Sequence, residues 1–255
     1  CMFVTVNICT YNRAALLRQT LEQFVTLEIP AGVSWELLVV NNCCTDETDR
    51  VLAEFSHRLP LVVLHEKRAG KCYALNTAVA SARGELILFT DDDVLVEPQW
   101  LSNYVRAASQ WPDAAIFGGE ITPWFERTPP AWVKRNLASL HGPFVINIPR
   151  NEDAPLMPGA SPFGANMAAR TSIMRQFRFD PRLGPKGRGM RKGDDTEMVR
   201  AILEAGHTGR WVHGATLKHF VVAERMRTRY LYDFYRAHSE VVSEIERTQG
   251  SEQRF

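Results

Sequence analysis

The alternation of short apolar runs with amphipathic helical stretches across the first 120 residues constrains the fold more than any other feature. Phe3–Cys9 is β-rich, and Arg13–Leu27 follows with Leu16, Leu17, Leu21, Phe24 and Val25 at helical spacing behind Asn12 as N-cap. Trp35–Val40 is nearly continuously apolar, as a parallel strand covered on both faces would be. Thr45-Asp46-Glu47 opens a second helix with acids where the helix dipole favours them. Leu61–His65 is a strand, Gly70–Ala82 a helix and Glu85–Thr90 a strand. Pro98 begins another helix and Ala114–Gly119 another strand. Such alternation predicts an α/β fold with a doubly wound, mainly parallel sheet of Rossmann-like type.

Beyond Glu120 the texture changes. Residues 121–162 are rich in proline and carry Trp124, Phe125, Trp132 and Phe144, which predicts a lid or binding loop. Order returns at Ala165–Arg170, in a helix over Asp194–Ala205, in an extended run over Arg210–Phe220 and in a terminal helix over Thr228–Arg247. Arg182–Lys192 carries five cations and no anion, and reads as a mobile basic loop.

Thirty Lys and Arg stand against 29 Asp and Glu, which removes the electrostatic reason to expect a nucleic-acid partner. No apolar run approaches the roughly 18–20 residues that span a bilayer. The five cysteines, Cys1, Cys9, Cys43, Cys44 and Cys72, include no C-x-x-C pair. They read as reduced thiols of a cytoplasmic protein rather than a zinc site or disulfide frame.

Asp91-Asp92-Asp93 directly follows the apolar strand, at the carboxyl end where open α/β sheets bind ligands. Three adjacent carboxylates repel one another, and a hard divalent cation such as Mn2+ or Mg2+ resolves that repulsion. Three other strand-end loops converge on the same crevice. Thr10-Tyr11-Asn12-Arg13 lies beside the acidic trio. Asn41, Asn42 and Asp46 are able to read a nucleobase. Gly70 and Lys71 open a helix that can approach ribose or phosphate. Further on, Asp194 and Asp195 open a helix and supply a carboxylate able to accept a hydroxyl proton.

These pieces resemble the family 2 glycosyltransferases. The similarity is carried by CTYNR (9–13), VVNNCCTDET (39–48), GKCYALNTAVASARGELILFTDDDV (70–94), GANMAARTSI (164–173), LGPKGRGMRKGDDTEM (183–198) and KHFVVAERMRTRY (218–230), in the family's order. The resemblance implies the GT-A fold with a C-terminal acceptor-side extension. It implies a nucleotide-sugar-binding half over 1–120, an acceptor and catalytic-base half over 121–225, and a C-terminal helix over 226–255. It also implies an inverting transfer of sugar from a nucleotide-diphosphate-sugar donor to a glycan or lipid-linked acceptor.

By position, Asp91 and Asp93 match the ends of the family's D-x-D motif, which touches ribose and metal, and Asp92 joins the donor side. His219 matches a position near the metal. Asp195 matches the catalytic acid of a Glu-Asp motif, and Asp194, replacing the usual Glu, leaves open an exchange of roles. Asn41 stands where many members carry an Asp that reads uracil, so the donor base stays open. Arg225 and Arg227, with Lys186, Arg188, Arg191 and Lys192, are candidate phosphate clamps. Trp124, Trp132 and Asn166 are candidate acceptor contacts, and the terminal helix with its arginines offers a peripheral contact with the inner membrane face. Two alternatives stand beside this reading. A sugar-nucleotide nucleotidylyltransferase would need a Gly-rich loop that CTYNR lacks. A non-catalytic nucleotide-sugar-binding protein would not need both Asp194 and Asp195.

Overall fold

The computed structural model describes residues 2–147, 150–157, 159–184, 193–237 and 239–240. The first half follows the expected alternation. The order is β1 (Met2–Thr10), α1 (Ala14–Phe24), β2 (Val33–Asn41), α2 (Thr48–Phe55), β3 (Leu61–His65), α3 (Lys71–Ser81), β4 (Leu86–Thr90), β5 (Val94–Val96), α4 (Trp100–Gln110) and β6 (Ala114–Phe125). Short helices α5 (Ala131–Arg135) and α6 (His141–Phe144) come next, then β7 (Ala154–Pro155), β8 (Asn166–Arg170), α7 (Thr171–Met174), α8 (Asp194–Glu204) and β9 (Thr208–Val221). Residues 228–237 are helical, and the expected helix beyond 240 lies outside the described residues, as do residues 185–192 of the basic loop.

The strands form one sheet in the order β3-β2-β1-β4-β8-β6-β9-β5, with β7 also paired to β9. β1 pairs in parallel with β2 and β4, and β2 with β3. β8 runs antiparallel to both β4 and β6. Strand alternation sorts the core onto two faces. Leu86 and Leu88 pack with Leu17, Leu21, Val51 and Phe55 of α1 and α2, whereas Ile87 and Phe89 pack with Leu75 of α3 and Met198 and Ile202 of α8. Helices thus cover both faces, as a doubly wound sheet requires.

Chain length forces the sheet to curl. Asp91–Asp93 link β4 to β5, yet four strand steps separate those two in the sheet. A flat sheet would hold them about 19 Å apart, while the link reaches at most about 14 Å. Register shifts between β6 and β9, at Ala114/Ile116 and Gly118/Glu120, supply the bend. Gly119 lies at the second shift, where a Cβ would come within 2.2 Å of the Ala215 carbonyl oxygen. The curl brings β5 and β9 over the tip of β4.

Two expectations are corrected. Residues 121–125 are not loop: β6 continues through Pro123, which stands opposite His219 of β9. β8 pairs with β6 only over Ile116–Gly118, so the missing proline N–H breaks no ladder there. The following stretch packs Val133, Leu140, Phe144 and Ile146 on Val221 and Met226, making part of the expected lid a small core. Asn12 is not the N-cap of α1 either. Its φ is 52°, Arg13 takes the cap position, and the Ala14 N–H donates instead to Asp46 Oδ2 at 2.9 Å.

Candidate active site

Asp91, Asp92 and Asp93 each take a different direction from the β4 tip. Asp91 accepts from Lys71 Nζ at 2.5 Å, and Lys71 is the first residue of α3. Burial works against ionisation of Asp91, but the Lys71 ammonium outweighs it, with His219 and Arg13 adding, and holds the group near 2. Asp93 is 3% exposed and accepts from Arg13 Nη1 at 2.6 Å through Oδ2. Its Oδ1 is buried with no hydrogen-bond partner among the described residues.

The antiparallel pairing of β5 with β9 sets Val94 opposite His219 and places His219 Nε2 3.5 Å from Asp93 Oδ1. Ligand atoms of Asp91, Asp93 and His219 all lie within 4.8 Å of one another. Two carboxylates and an imidazole, one oxygen of them unsatisfied, fit a divalent cation in chemistry and spacing.

Asp92 is held by the protein's own groups. It is 4% exposed, and its two oxygens accept from the Thr10 hydroxyl at 2.7 Å and from Arg13 at 3.2 Å. Burial pushes its carboxyl up to about 7 against the pull of the Arg13 cation. Its backbone is held as well, because the Thr20 hydroxyl sits 3.0 Å from the Asp92 carbonyl oxygen and accepts from the Val94 N–H at 3.1 Å. The sequence reading missed Thr20. A threonine on the buried stripe of Leu17, Leu21 and Phe24 is the signal that would have marked it.

Asn41 and Asn42 are 4% and 5% exposed, with both ends of each amide engaged. Asn41 accepts from the Cys44 N–H and donates to Asp49, whereas Asn42 accepts from the Gly70 N–H and donates to the Glu66 and Arg68 carbonyls. They tie the strand-end loops together. Asp46 does the same between α1 and α2. Burial opposes its ionisation, but hydrogen bonds from Thr48 and the Ala14 N–H prevail and lower its pKa. Gly70, with φ 139°, lets the chain turn into α3. Asn12 accepts from the Thr45 N–H at 2.7 Å. Tyr11 is 41% exposed at the crevice rim.

Across the crevice, α8 begins with Asp194 and Asp195 after Gly193 in a left-handed conformation. Asp195 is partly exposed, with Oδ2 accepting from the Gly164 N–H at 2.8 Å and Oδ1 from the Thr196 N–H at 2.9 Å. Gly164 lies within the GANMAARTSI stretch, and its amide orients this carboxylate. Asp194 is 8% exposed, and burial followed by the charge of Asp195 raises it to about 6, against Lys71. Lys71 feels Asp91, Asp194 and Asp195 together, so one ammonium links the acidic seat to the acidic helix start.

The acceptor-side residues divide. Trp124 is partly exposed at the β6 end, its ring 4.7 Å from that of Phe220. Trp132 packs against the small core under α5. Asn166 is 0% exposed, with both ends of its amide engaged. Its Oδ1 accepts from Trp100 Nε1 and the Tyr104 hydroxyl, and its Nδ2 donates to the Glu120 and Ala215 carbonyls. Arg225 is half-buried, and its Nη1 is buried without a hydrogen-bond partner among the described residues. Lys186, Arg188, Arg191 and Lys192 lie outside the described residues. Cys9, Cys43, Cys44 and Cys72 are free thiols, and burial lifts those of Cys9 and Cys72 to about 12.

Residues 5–158 match the family described as Glycosyl transferase family 2, and the chain belongs to that family. The glucosyl-dolichyl phosphate glucuronosyltransferase of Haloferax volcanii is 30% identical over 133 residues, 50% of this chain and 41% of that protein. The succinoglycan biosynthesis protein ExoM of Rhizobium meliloti is 22% identical over 219 residues, 83% of this chain and 66% of its own. The chain therefore spans less than two thirds of either curated relative. The mannosyltransferase PcManGT from Pyrobaculum calidifontis, solved with GDP-Man and Mn2+, aligns with TM-score 0.61 and 22% identity over 84% of this chain and 56% of its own. TarS of S. aureus with UDP-GlcNAc gives TM-score 0.61 and 19% identity over 92% of this chain and 64% of its own. The fold is GT-A, as the sequence motifs imply.

Proposed function

We propose that the protein transfers a sugar from a nucleotide-diphosphate-sugar to a hydroxyl of a glycan or lipid-linked acceptor, inverting the anomeric carbon in one displacement. The observation that carries this reading is the buried, unsatisfied Asp93 oxygen grouped with Asp91 and His219, in the same crevice as the oriented carboxylate of Asp195. Asp91, Asp93 and His219 would hold Mn2+ or Mg2+, and the bound ion supplies Lewis-acid neutralisation of diphosphate charge.

The chain's own residues do the rest. Asp195 takes the acceptor hydroxyl proton onto a carboxylate kept in one orientation by two backbone amides. Asp194 is buried and raised toward neutrality, which supports Asp195 as the base. Lys71 and Arg13 balance the acidic seat, and Arg225 offers its unsatisfied Nη1 to phosphate oxygens. Tyr11 presents a ring for the base at the rim, with Thr10, Asn12 and Gly70 shaping the loops beneath it. Residues 1–120 form the donor half and residues 121–225 the acceptor half, where Trp124 offers a ring to a sugar face. The C-terminal helix, described over residues 228–237, follows the acceptor half.

The solved neighbours with GDP-Man and Mn2+ and with UDP-GlcNAc add support for such a donor. Free cysteines such as Cys9 and Cys43 are in keeping with a cytoplasmic location. No helix among the described residues is long and apolar enough to cross a membrane.

Thermal shift with UDP, GDP and dTDP, with and without Mn2+, tests the reading, because a ligand at 100 times its Kd stabilises the native state by about 2.7 kcal/mol. One diphosphate should stabilise the protein only with Mn2+, and Asp93→Asn should abolish the effect. Asp195→Asn should keep the shift and lose turnover. No stabilisation by any diphosphate overturns the proposal.

A further inference from the structure

The outer face of α3 carries a feature that the transfer reaction does not use. A pocket of about 390 Å³ lies between that helix and the segment after α7, lined by Arg68, Asn76, Thr77, Arg175, Phe177 and Arg178 among others. Its wall holds three guanidinium groups and no carboxylate, in a chain whose net charge is only +1.

The charge is not cancelled locally. Arg68 is forked onto the buried Glu66 through Nε and Nη2, and Glu66 also takes the Thr77 hydroxyl. Arg175 gives Nη2 to the Ala82 carbonyl, a neutral partner. Arg178 is exposed and makes no hydrogen bond or ion pair with any described residue. Among the described residues, Glu66 is the one carboxylate that hydrogen-bonds or pairs with these three arginines. The wall is also braced, since Asn76 exchanges two hydrogen bonds with the Phe179 backbone at 2.8 and 3.0 Å. Asn76–Ala80 lie about 8–14 Å along α3 from Lys71, which separates this pocket from the crevice.

We infer that this pocket binds a phosphate group, gripped by the free guanidinium donors of Arg175 and Arg178 with Arg68 at the rim. Guanidinium forks match phosphate oxygens in pairs, and the volume admits a phosphate ester with its substituent. The group can come from a free phosphate or from an anionic lipid headgroup at a membrane surface.

Two measurements on the full chain with EDTA present separate these sources, each comparing wild type with Arg178→Glu. The first is thermal shift against inorganic phosphate. The second is co-sedimentation with vesicles of phosphatidylcholine, alone or doped with phosphatidylglycerol. Losing a charge-assisted pair and adding a repelling carboxylate should weaken binding about tenfold or more. Arg178 is exposed and makes no hydrogen bond or ion pair with the described residues, so the urea midpoint of the variant should match wild type. Phosphate protection lost in the variant identifies a free-phosphate site, and lost sedimentation with doped vesicles identifies a headgroup site. The inference falls if wild type responds to neither probe, or if Arg178→Glu responds to both as wild type does.

Discussion

Asn166 opens β8 with its amide enclosed between α4, β6 and β9, and replacing it with alanine should unfold the protein far more readily than it disturbs any ligand. Four side-chain hydrogen bonds disappear. The Tyr104 hydroxyl keeps a partner, because it also reaches the Asn166 carbonyl oxygen at 3.0 Å. Trp100 Nε1 and the Glu120 and Ala215 carbonyls lose this amide inside a site that is 0% exposed. Each buried group left unsatisfied costs about 1–3 kcal/mol, so three of them cost about 3–5 kcal/mol after partial relaxation. In a domain of this size each kcal/mol shifts the melting temperature by about 2–4 °C, which makes the expected fall about 10 °C. Asn166→Asp should do no better, since it turns a carboxylate oxygen toward two carbonyls. Urea unfolding and calorimetry measure the loss. An Asn166→Ala protein within about 1 kcal/mol of wild type, with a raised KM for the acceptor, would refute the network account and return Asn166 to the acceptor site.

Lys71→Met should leave Asp91 without its ammonium and cost about 3 kcal/mol, by the logic of a pair broken from one side. Mn2+ should recover part of that loss, and a urea midpoint equal to wild type without metal would contradict it. Gly119→Ala drives a Cβ within 2.2 Å of the Ala215 oxygen and 2.4 Å of Asn166 Nδ2. A cost of about 1–3 kcal/mol is expected, and an unchanged melting temperature would show that the bend in β6 is looser than described. Glu66 is held down near 2 by the Arg68 fork, burial opposing, with the Thr77 hydroxyl adding to the fork. A carboxylate whose folded pKa lies below its ordinary 4.5 contributes stability that is present above 4.5 and lost as pH falls toward 2. Glu66→Gln should flatten the stability profile across that window, and an unaltered acid limb would refute the assignment.

Much of this molecule was legible locally. The periodicities of Phe3–Cys9, Arg13–Leu27 and Leu61–His65 foretold strand, helix and strand, because backbone pairing and one-sided burial leave their mark within a few residues. The acidic trio was readable for the same reason, as three like charges at an apolar strand's end demand a counter-charge. The grouping of Asp91 and Asp93 with His219 came from the family resemblance, and the curl of the sheet is what realises it. The continuation of β6 through Pro123 also escaped the sequence, since it depends on which edge of the strand lies open.

The polar residues divide the two levels most sharply. Sequence alone determined which carboxylates and amides gather at the strand ends. Tertiary structure decided that the side chains of Asn41, Asn42, Asp92 and Asn166 bond to the protein's own groups, whereas Asp93 keeps an oxygen with no hydrogen-bond partner among the described residues and Asp195 stays partly exposed. A side chain's type states what bonds it is able to make. Which of those bonds are already taken depends on groups brought up from distant parts of the chain.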